Sequence, residues 1–465
     1  MILFSSCKVS ENARKELYQP LPSSYNNKTD SINAADINWK TFFKDAELLQ
    51  LIDNAVEGNQ DLQMAYQRIN IAKANVRFAR GQSLPFVGIG TSAGQTKYGK
   101  YTQEGVGNYD VQFSPNITRD MIVPEHLPYY SAGLVTSWEA DVWGKLRNRR
   151  KAASARYLSS IEGKNWLLSN LIAEIASSYY MLLALDQELE IIRETITLQS
   201  NELSIIQLQK EAGRANELAV KQFQAQLYNT QGLEVNIMQR IVETENYINF
   251  LAGRYPQEIK RNKNNFNKNL PAEIKSGIPS DLLTKRPDVR QAELELIAMK
   301  ANVKAARAAF YPSLNITGFL GYQSFNPDFL ISPQSFAYNI LAGLAAPLLN
   351  TSAIRSQFKS ATAGQSEALY NYQKIVINAY MEVYNQMSNI NNLNRIHELK
   401  NSEVGVLTNS IETASELFLT GRATYLEVII TRTNALKSRL ELIEIKRKQY
   451  DAAINIYKAL GGGWQ

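Results

Sequence analysis

Lys73-Ala74-Asn75-Val76 and Lys300-Ala301-Asn302-Val303 are one motif written twice in a chain of 465 residues. Outward from it, residues 61–90 align with 288–317 at a constant offset of 227, and ten of the thirty pairs are identical. Ala79-Arg80 matches Ala306-Arg307, and Pro85 matches Pro312. Further along, the offset becomes 208. There Gly213-Arg214-Ala215 matches Gly421-Arg422-Ala423, Leu218 matches Leu426, and Gly253 matches Gly461. The two halves carry the same elements in the same order, so the chain holds two similar units related by approximate symmetry.

Proline is absent from 129 to 255 and from 348 to 465. An internal proline costs a helix roughly 3 kcal/mol, so these are the stretches where long helices can run. In the first, Leu168, Leu171, Ile175, Ser178, Leu182, Leu185, Leu189, Ile192, Ile196, Gln199, Leu203 and Ile206 step by threes and fours. That is a heptad seam broken only by Ser178 and Gln199. It predicts a helix over about 145–212, roughly 100 Å long at 1.5 Å per residue. Gly213 stops it in the way a left-handed cap requires. A second helix, about 216–251, ends at Gly253, giving a long antiparallel hairpin. The second half repeats the pattern with helices over about 354–420 and 425–460, broken at Gly421. Its seam runs Val376, Ala379, Val383, Gln386, Ile390, Leu393, His397, Lys400, Val404, Leu407, Ile411 and Ala414. His397 and Lys400 make this seam wetter, so it packs less tightly or faces something aqueous.

A shorter helix ending at a proline precedes each strand pair. Helix 59–83 leads to Pro85 and a strand of about 86–96; helix 288–311 leads to Pro312 and a strand of about 313–324. In the latter, Leu314, Ile316, Leu320 and Tyr322 share one parity, and Asn315, Thr317 and Gln323 the other. This is the period-two pattern of a strand with unlike faces. Return strands fall at about 129–140 and 336–347, the latter with Phe336, Tyr338, Ile340, Ala342 and Leu344 on one face. Each run is long enough to cross a bilayer as a tilted strand, which takes ~9–11 residues. Loop 97–128 is long and polar; loop 325–335 carries Pro327 and Pro333. Trp138, Trp143, Tyr129, Tyr130, Phe336 and Tyr338 flank the strands and suit an interfacial aromatic girdle. Four strands cannot close a barrel, and an open sheet edge is not tolerated in lipid. If these strands lie in a membrane, several chains must share one barrel.

Composition narrows the chemistry. Two histidines and one cysteine leave little material for a Cys/His metal site, a Cys–His dyad or a disulfide framework. No phosphate-loop or dinucleotide-binding glycine signature occurs. The net charge is +6. The densest basic cluster, Lys145, Arg147, Arg149, Arg150 and Lys151, reads as a solvated or lipid-headgroup-facing patch rather than a nucleic-acid site. No stretch of about 18 uninterrupted apolar residues predicts a transmembrane helix. Ile2-Leu3-Phe4-Ser5-Ser6 runs into the lone Cys7 like the tail of a bacterial lipoprotein signal, although the six preceding residues are too few for a whole one. Acylated Cys7 would then head a Pro- and Asn-rich tether.

Leu282-Leu283, Arg286-Pro287-Asp288-Val289, Ala292-Glu293, Ala301 and Pro312 resemble the signature of the TolC-like outer-membrane efflux proteins. Trp138-Glu139, Asp141 and Trp143-Gly144-Lys145 resemble that family's second landmark. Lys285 stands where arginine is commoner and keeps the charge. The resemblance spans about Trp39 to Gly461 and is nearest to the lipid-anchored branch that serves tripartite drug and metal pumps. It implies a mainly α fold with a small membrane β-barrel share: a homotrimer whose twelve-stranded β-barrel sits on a long α-helical periplasmic barrel. Domains follow as 1–45 (N-terminal tether and equatorial segment), 46–253 (first repeat, with strand hairpin 86–140 and helical hairpin 145–252), 254–281 (equatorial insert), 282–461 (second repeat, with strand hairpin 313–347 and helical hairpin 354–460) and 462–465 (tail). The implied role is the outer-membrane exit duct of an efflux system. It would extend into the periplasm and meet a periplasmic adaptor (membrane fusion) protein and a proton-driven inner-membrane pump, with outer-membrane lipid around it, no nucleic acid and no cofactor. Protein secretion of type I, or a soluble coiled-coil scaffold, are the competing functions. A hydrolase finds no nucleophile–base set.

Three sets of residues stand out. Pro287 and Asp288, with Asp61 in the first half, suit the first turns of helices. Gly213, Arg214, Gly421 and Arg422 form the hairpin tips, and the resemblance places these at the periplasmic mouth, where an adaptor would dock. Glu412 and Glu416, spaced i, i+4 on one helix face, replace Ser204 and Leu208 of the first half. In a trimer they would make two rings of three carboxylates, a cation-favouring constriction.

Overall fold

A computed structural model describes residues 21–25, 33–267, 277–347, 349 and 351–465. Cys7 and part of the 254–281 insert lie outside them. The helices and strands in chain order are α1 (Trp39–Phe42), α2 (Ala46–Gly58), α3 (Gln60–Gly81), β1 (Phe86–Lys97), α4 (Gln103–Val111), β2 (His126–Ala140), α5 (Lys145–Glu211), α6 (Glu217–Leu251), α7 (Leu282–Lys285), α8 (Pro287–Ala308), β3 (Ser313–Ser324), β4 (Phe336–Ala345), α9 (Ser352–Leu419) and α10 (Tyr425–Ala459). The long loop 97–128 is not wholly irregular, because Thr102 caps α4 by accepting from the Gly105 amide at 3.0 Å. The chain divides into two compact units, 1–70 with 158–294 and 369–465, and 71–157 with 295–368. Each unit therefore draws on both halves of the repeat.

In the first unit, the middle of α5 is buried on nearly every side. Ile172, Ile175, Tyr179, Leu182 and Leu183 are all at most 1% exposed. They form one core with Leu48 and Ile52 of α2, Ile248 and Leu251 of α6, and Tyr450, Ile454 and Tyr457 of α10. Each such side chain contributes about 1.5–3 kcal/mol by leaving water. One 18-residue window of α5 reaches a mean hydropathy of 1.3, yet 61% of it is buried inside the protein, so its apolarity serves this core. The α9 seam is wetter, as its sequence indicates. Val376, Ala379, Val383 and Leu393 are buried, while Lys400 bonds Glu403 at 2.7 Å and Glu441 at 2.8 Å. His397 sits half-buried, its pKa lowered by burial and by nearby Lys446.

The insert is pinned to this unit by Arg261, which bonds Asp186 at 2.5 and 3.0 Å and Glu245 at 2.5 Å. Phe266 is buried beside it. At the other end of the chain, Asn38 donates to the backbone oxygen of Gln465 at 2.8 Å.

The second unit holds one antiparallel sheet in the order β1-β2-β3-β4. Its register pairs Ile89 with Leu134, Leu134 with Leu320, and Leu320 with Tyr338. One face therefore carries Val87, Ile89, Leu134, Trp138, Leu314, Ile316, Leu320, Tyr322, Phe336, Tyr338, Ile340 and Leu344. The other carries glycines with Ser131, Ser137, Asn315, Thr317, Gln323 and Asn339, and among them Phe86, Tyr129, Val135, Phe319 and Leu341. Ile340 is 77% exposed on the apolar face, which no water-facing sheet would favour. Trp138 and Trp143 do more than edge the strands. Trp138 Nε1 donates to the Ser83 carbonyl at 3.2 Å and Trp143 Nε1 to the Pro312 carbonyl at 2.7 Å, tying the sheet to the turns that enter β1 and β3. Tyr129 and Tyr130 point to opposite faces, as neighbours in a strand must.

A lysine in place of Ile340 should cost about 2–4 kcal/mol if that face meets the bilayer midplane. Refolding into liposomes should be impaired in Ile340→Lys and close to normal in Asn339→Lys, one residue away on the opposite face.

Candidate functional site: hairpin tips and helix-start junctions

Both hairpin tips are built by the same hydrogen bonds. At the first, Gly213 N–H donates to the Lys210 carbonyl at 2.9 Å and Arg214 N–H to the Gln209 carbonyl at 2.8 Å. At the second, Gly421 N–H donates to Phe418 at 3.0 Å and Arg422 N–H to Leu417 at 2.8 Å. This is the Schellman arrangement, and it requires the left-handed backbone that Gly213 (φ +71°) and Gly421 (φ +72°) adopt. The next helix starts on a cap in each case. Asn216 accepts from the Ala219 amide at 2.8 Å. Thr424 and Glu427 form a reciprocal capping box, whose bonds hold the Glu427 carboxyl below its ordinary pKa. Arg214 with Leu218, and Arg422 with Leu426, are exposed in both copies.

The two tips also pack on each other. Ile206, Ala219, Val220 and Phe223 of the first meet Phe418, Tyr425 and Ile429 of the second. Arg432 of α10 reaches across to an ion pair with Glu202 of α5 and donates to Ser415 Oγ at 3.2 Å. Burial lowers the pKa of this guanidinium. Arg432 is inconspicuous in the sequence because its repeat partner, Gln224, is neutral. The signal that could have found it is a charged residue facing a seam.

Glu412 and Glu416 are exposed on α9, beside the seam positions Ile411 and Ala414. They make no ion pair among the described residues. Among those residues, no group of three or more His, Cys, Asp or Glu side chains could hold a metal ion.

The family-diagnostic Arg286-Pro287-Asp288 proves to be a junction as well as a helix start. Pro287 opens α8, and Asp288 lies in its first turn, as Asp61 does in α3. Arg286 is fully buried. It bonds Asp288 at 3.0 and 2.7 Å, Glu382 of α9 at 2.8 Å and the Ala459 carbonyl of α10 at 2.9 Å. Trp166 lies 5.5 Å from the guanidinium carbon. Burial alone would lower its pKa, but the Asp288 and Glu382 carboxylates more than offset that and hold it above the ordinary value. Asp288 thus spends its oxygens on Arg286 rather than on free helix amides, because a buried cation left unpaired is costlier.

The first half solves the same problem with a neutral group. Asn59, the repeat partner of Arg286, donates to the Leu251 carbonyl at 2.8 Å, and Leu251 is the repeat partner of Ala459. Its Oδ1 caps α3 by accepting from the Leu62 amide at 3.0 Å. Gly253 and Gly461 close the two junctions. A Cβ at Gly253 would strike the Gly58 carbonyl oxygen, and one at Gly461 the Lys285 carbonyl oxygen.

A family model described as outer membrane efflux protein matches residues 51–254 and 278–462. The cation efflux system protein CusC of Escherichia coli O6:H1 is 26% identical over 451 residues, which is 96% of this chain and 94% of that protein. The toluene efflux pump outer membrane protein TtgI of Pseudomonas putida is 27% identical over 436 residues, 93% of this chain and 89% of that one. The crystal structure of a membrane protein from Pseudomonas aeruginosa superposes with a TM-score of 0.85 at 23% identity, covering 96% of this chain and 98% of that one.

Removing Arg286 leaves Asp288 and the Ala459 carbonyl without their partner. Arg286→Met should destabilise the protein by about 3–5 kcal/mol. Asn59→Ala, which removes only neutral hydrogen bonds, should cost about 1–2 kcal/mol. Urea unfolding followed by circular dichroism checks both, and equal losses would remove the distinction.

Proposed function

Since the chain belongs to the outer membrane efflux protein family, we propose that this outer-membrane channel is the exit duct of a tripartite pump and works as a homotrimer. The four-stranded sheet carries the reading. One face is mostly apolar, the other mixes glycine and polar residues with Phe86, Val135, Phe319 and Leu341, and the two outer strands have no strand partner on their outer edges among the described residues. Backbone groups left unpaired in lipid cost several kcal/mol each, so the sheet must be continued by other copies. Two copies would close a barrel filled by its own side chains; three copies give twelve strands and leave a lumen.

The cargo is small. CusC is named for cations and TtgI for toluene, and solutes of that size pass by steric and electrostatic filtering without covalent chemistry. An inner-membrane pump, proton-driven, pushes solute through a periplasmic adaptor into the duct. The adaptor docks on the tips, where the exposed Arg214–Leu218 and Arg422–Leu426 pairs offer it two copies of one surface. Glu412 and Glu416 form the constriction behind the tips. Opening the mouth means parting the two hairpins, and the Arg432–Glu202 ion pair opposes that. Acylated Cys7 supplies the outer-membrane anchor.

Glu412→Ala with Glu416→Ala should lower cation selectivity or change single-channel conductance in planar bilayers; unchanged values would return both residues to the outer surface. Arg214→Glu with Arg422→Glu should abolish efflux in cells while the purified protein still runs as a trimer in detergent. A wild-type chain that purifies as a water-soluble monomer would refute the duct itself.

A further inference from the structure

Positive charge is concentrated in one part of this protein. Residues 71–84, 141–157, 295–312 and 346–368 of the second unit, which lie at one end of its strands, contain fourteen Lys and Arg against three Asp and Glu. The excess there exceeds the +6 of the whole chain, so the remainder is net acidic.

Six of the fourteen are arranged by the duplication. Lys73, Arg77 and Arg80 on α3 match Lys300, Lys304 and Arg307 on α8 at the offset of 227. Steps of four and three put each trio on one helix face. All six are exposed. Lys73, Arg77, Arg80, Lys300 and Lys304 make no ion pair among the described residues, so folding does not explain them.

Each stripe runs into the sheet. The last cations, Arg80 and Arg307, stand six residues before β1 and β3 begin at Phe86 and Ser313, across a tight turn in which the Ser83 and Phe310 amides donate to the Arg80 and Arg307 carbonyls. Headgroup regions add roughly 5–8 Å to each side of the hydrocarbon core, and arginine extends its charge beyond its own backbone position. Arg77 and Lys304 lie three residues further on, about 4.5 Å at 1.5 Å per residue, and Lys73 and Lys300 seven residues further on, about a Debye length. At the top of each stripe, Leu84 is 59% exposed and Tyr311 is 45% exposed. Tyr311 stacks on Trp143 with ring centroids 4.9 Å apart. Apolar and aromatic side chains in that position suit a lipid boundary better than an aqueous lumen.

We propose that the Lys73/Arg77/Arg80 and Lys300/Lys304/Arg307 stripes bind the phosphate headgroups of anionic phospholipid in the membrane leaflet at the helix end of the sheet. The inference rests on the sheet lying in the bilayer. Three copies would carry six equivalent stripes, so the bound lipid rings the barrel base on every side.

The test compares wild type with Arg77→Gln, Arg80→Gln, Lys304→Gln and Arg307→Gln combined. Both are purified in neutral detergent and titrated with phosphatidylglycerol, phosphatidylcholine or inorganic phosphate while thermal unfolding is followed. Phosphatidylglycerol should raise the melting temperature of the wild type where phosphatidylcholine and phosphate do not. The variant should need roughly fivefold more of it for each charge lost. If the variant folds poorly, Arg77→Lys, Arg80→Lys and Arg307→Lys, which keep the charge, should retain the wild-type response. Equal responses of wild type and charge-loss variant overturn the proposal, as does phosphatidylcholine or free phosphate acting as well as phosphatidylglycerol. A changed anion selectivity in planar bilayers with an intact lipid response also overturns it, by placing the stripes in the lumen. A wild type that fails to enter liposomes refutes the membrane placement instead.

Discussion

Unpaired backbone at the margins of β1 and β4 is the constraint on which the rest of the molecule turns. Water would satisfy those amides and carbonyls, but hydrocarbon cannot. The apolar face spanning Ile89, Leu134, Leu320 and Ile340 draws the sheet out of water, and the open margins forbid it to enter lipid alone. The proposed trimer rests on this observation. The helices, by contrast, satisfy their own backbones along the whole length of α5 and α9.

The periodicity that repeats in both halves made the long helices readable to within a few residues, but not α1, α2 or α7. The helix breaks at Gly213, Gly253, Gly421 and Gly461 were legible because each needs a left-handed residue at a fixed place. Strand positions followed from period-two alternation, and the expected strand 313–324 coincides with β3. The loop helix α4 was not legible, since nine residues with two glycines carry little helical signal.

Contacts distant in sequence were harder. Arg286 was readable as the residue before a helix start, but nothing local announces that Glu382 and the Ala459 carbonyl converge on it. Trp138 and Trp143 stand out in the sequence as aromatics beside the strands, while their indole bonds to Ser83 and Pro312 depend on how the strands are mounted. Glu412 and Glu416 were found by subtracting one half from the other. Both are exposed in the single chain.

The hydrogen bond from Asn38 to the backbone oxygen of Gln465 holds the residues just before α1 against the end of the second half. Proteins with adjoining ends commonly tolerate circular permutation. Here the repeat makes the operation nearly symmetric: joining Gln465 to the segment before Trp39, and reopening the chain in the insert between the halves, would present the second half first. The architecture then rests on the junctions at Asn59 and Arg286 more than on the order of the halves along the chain.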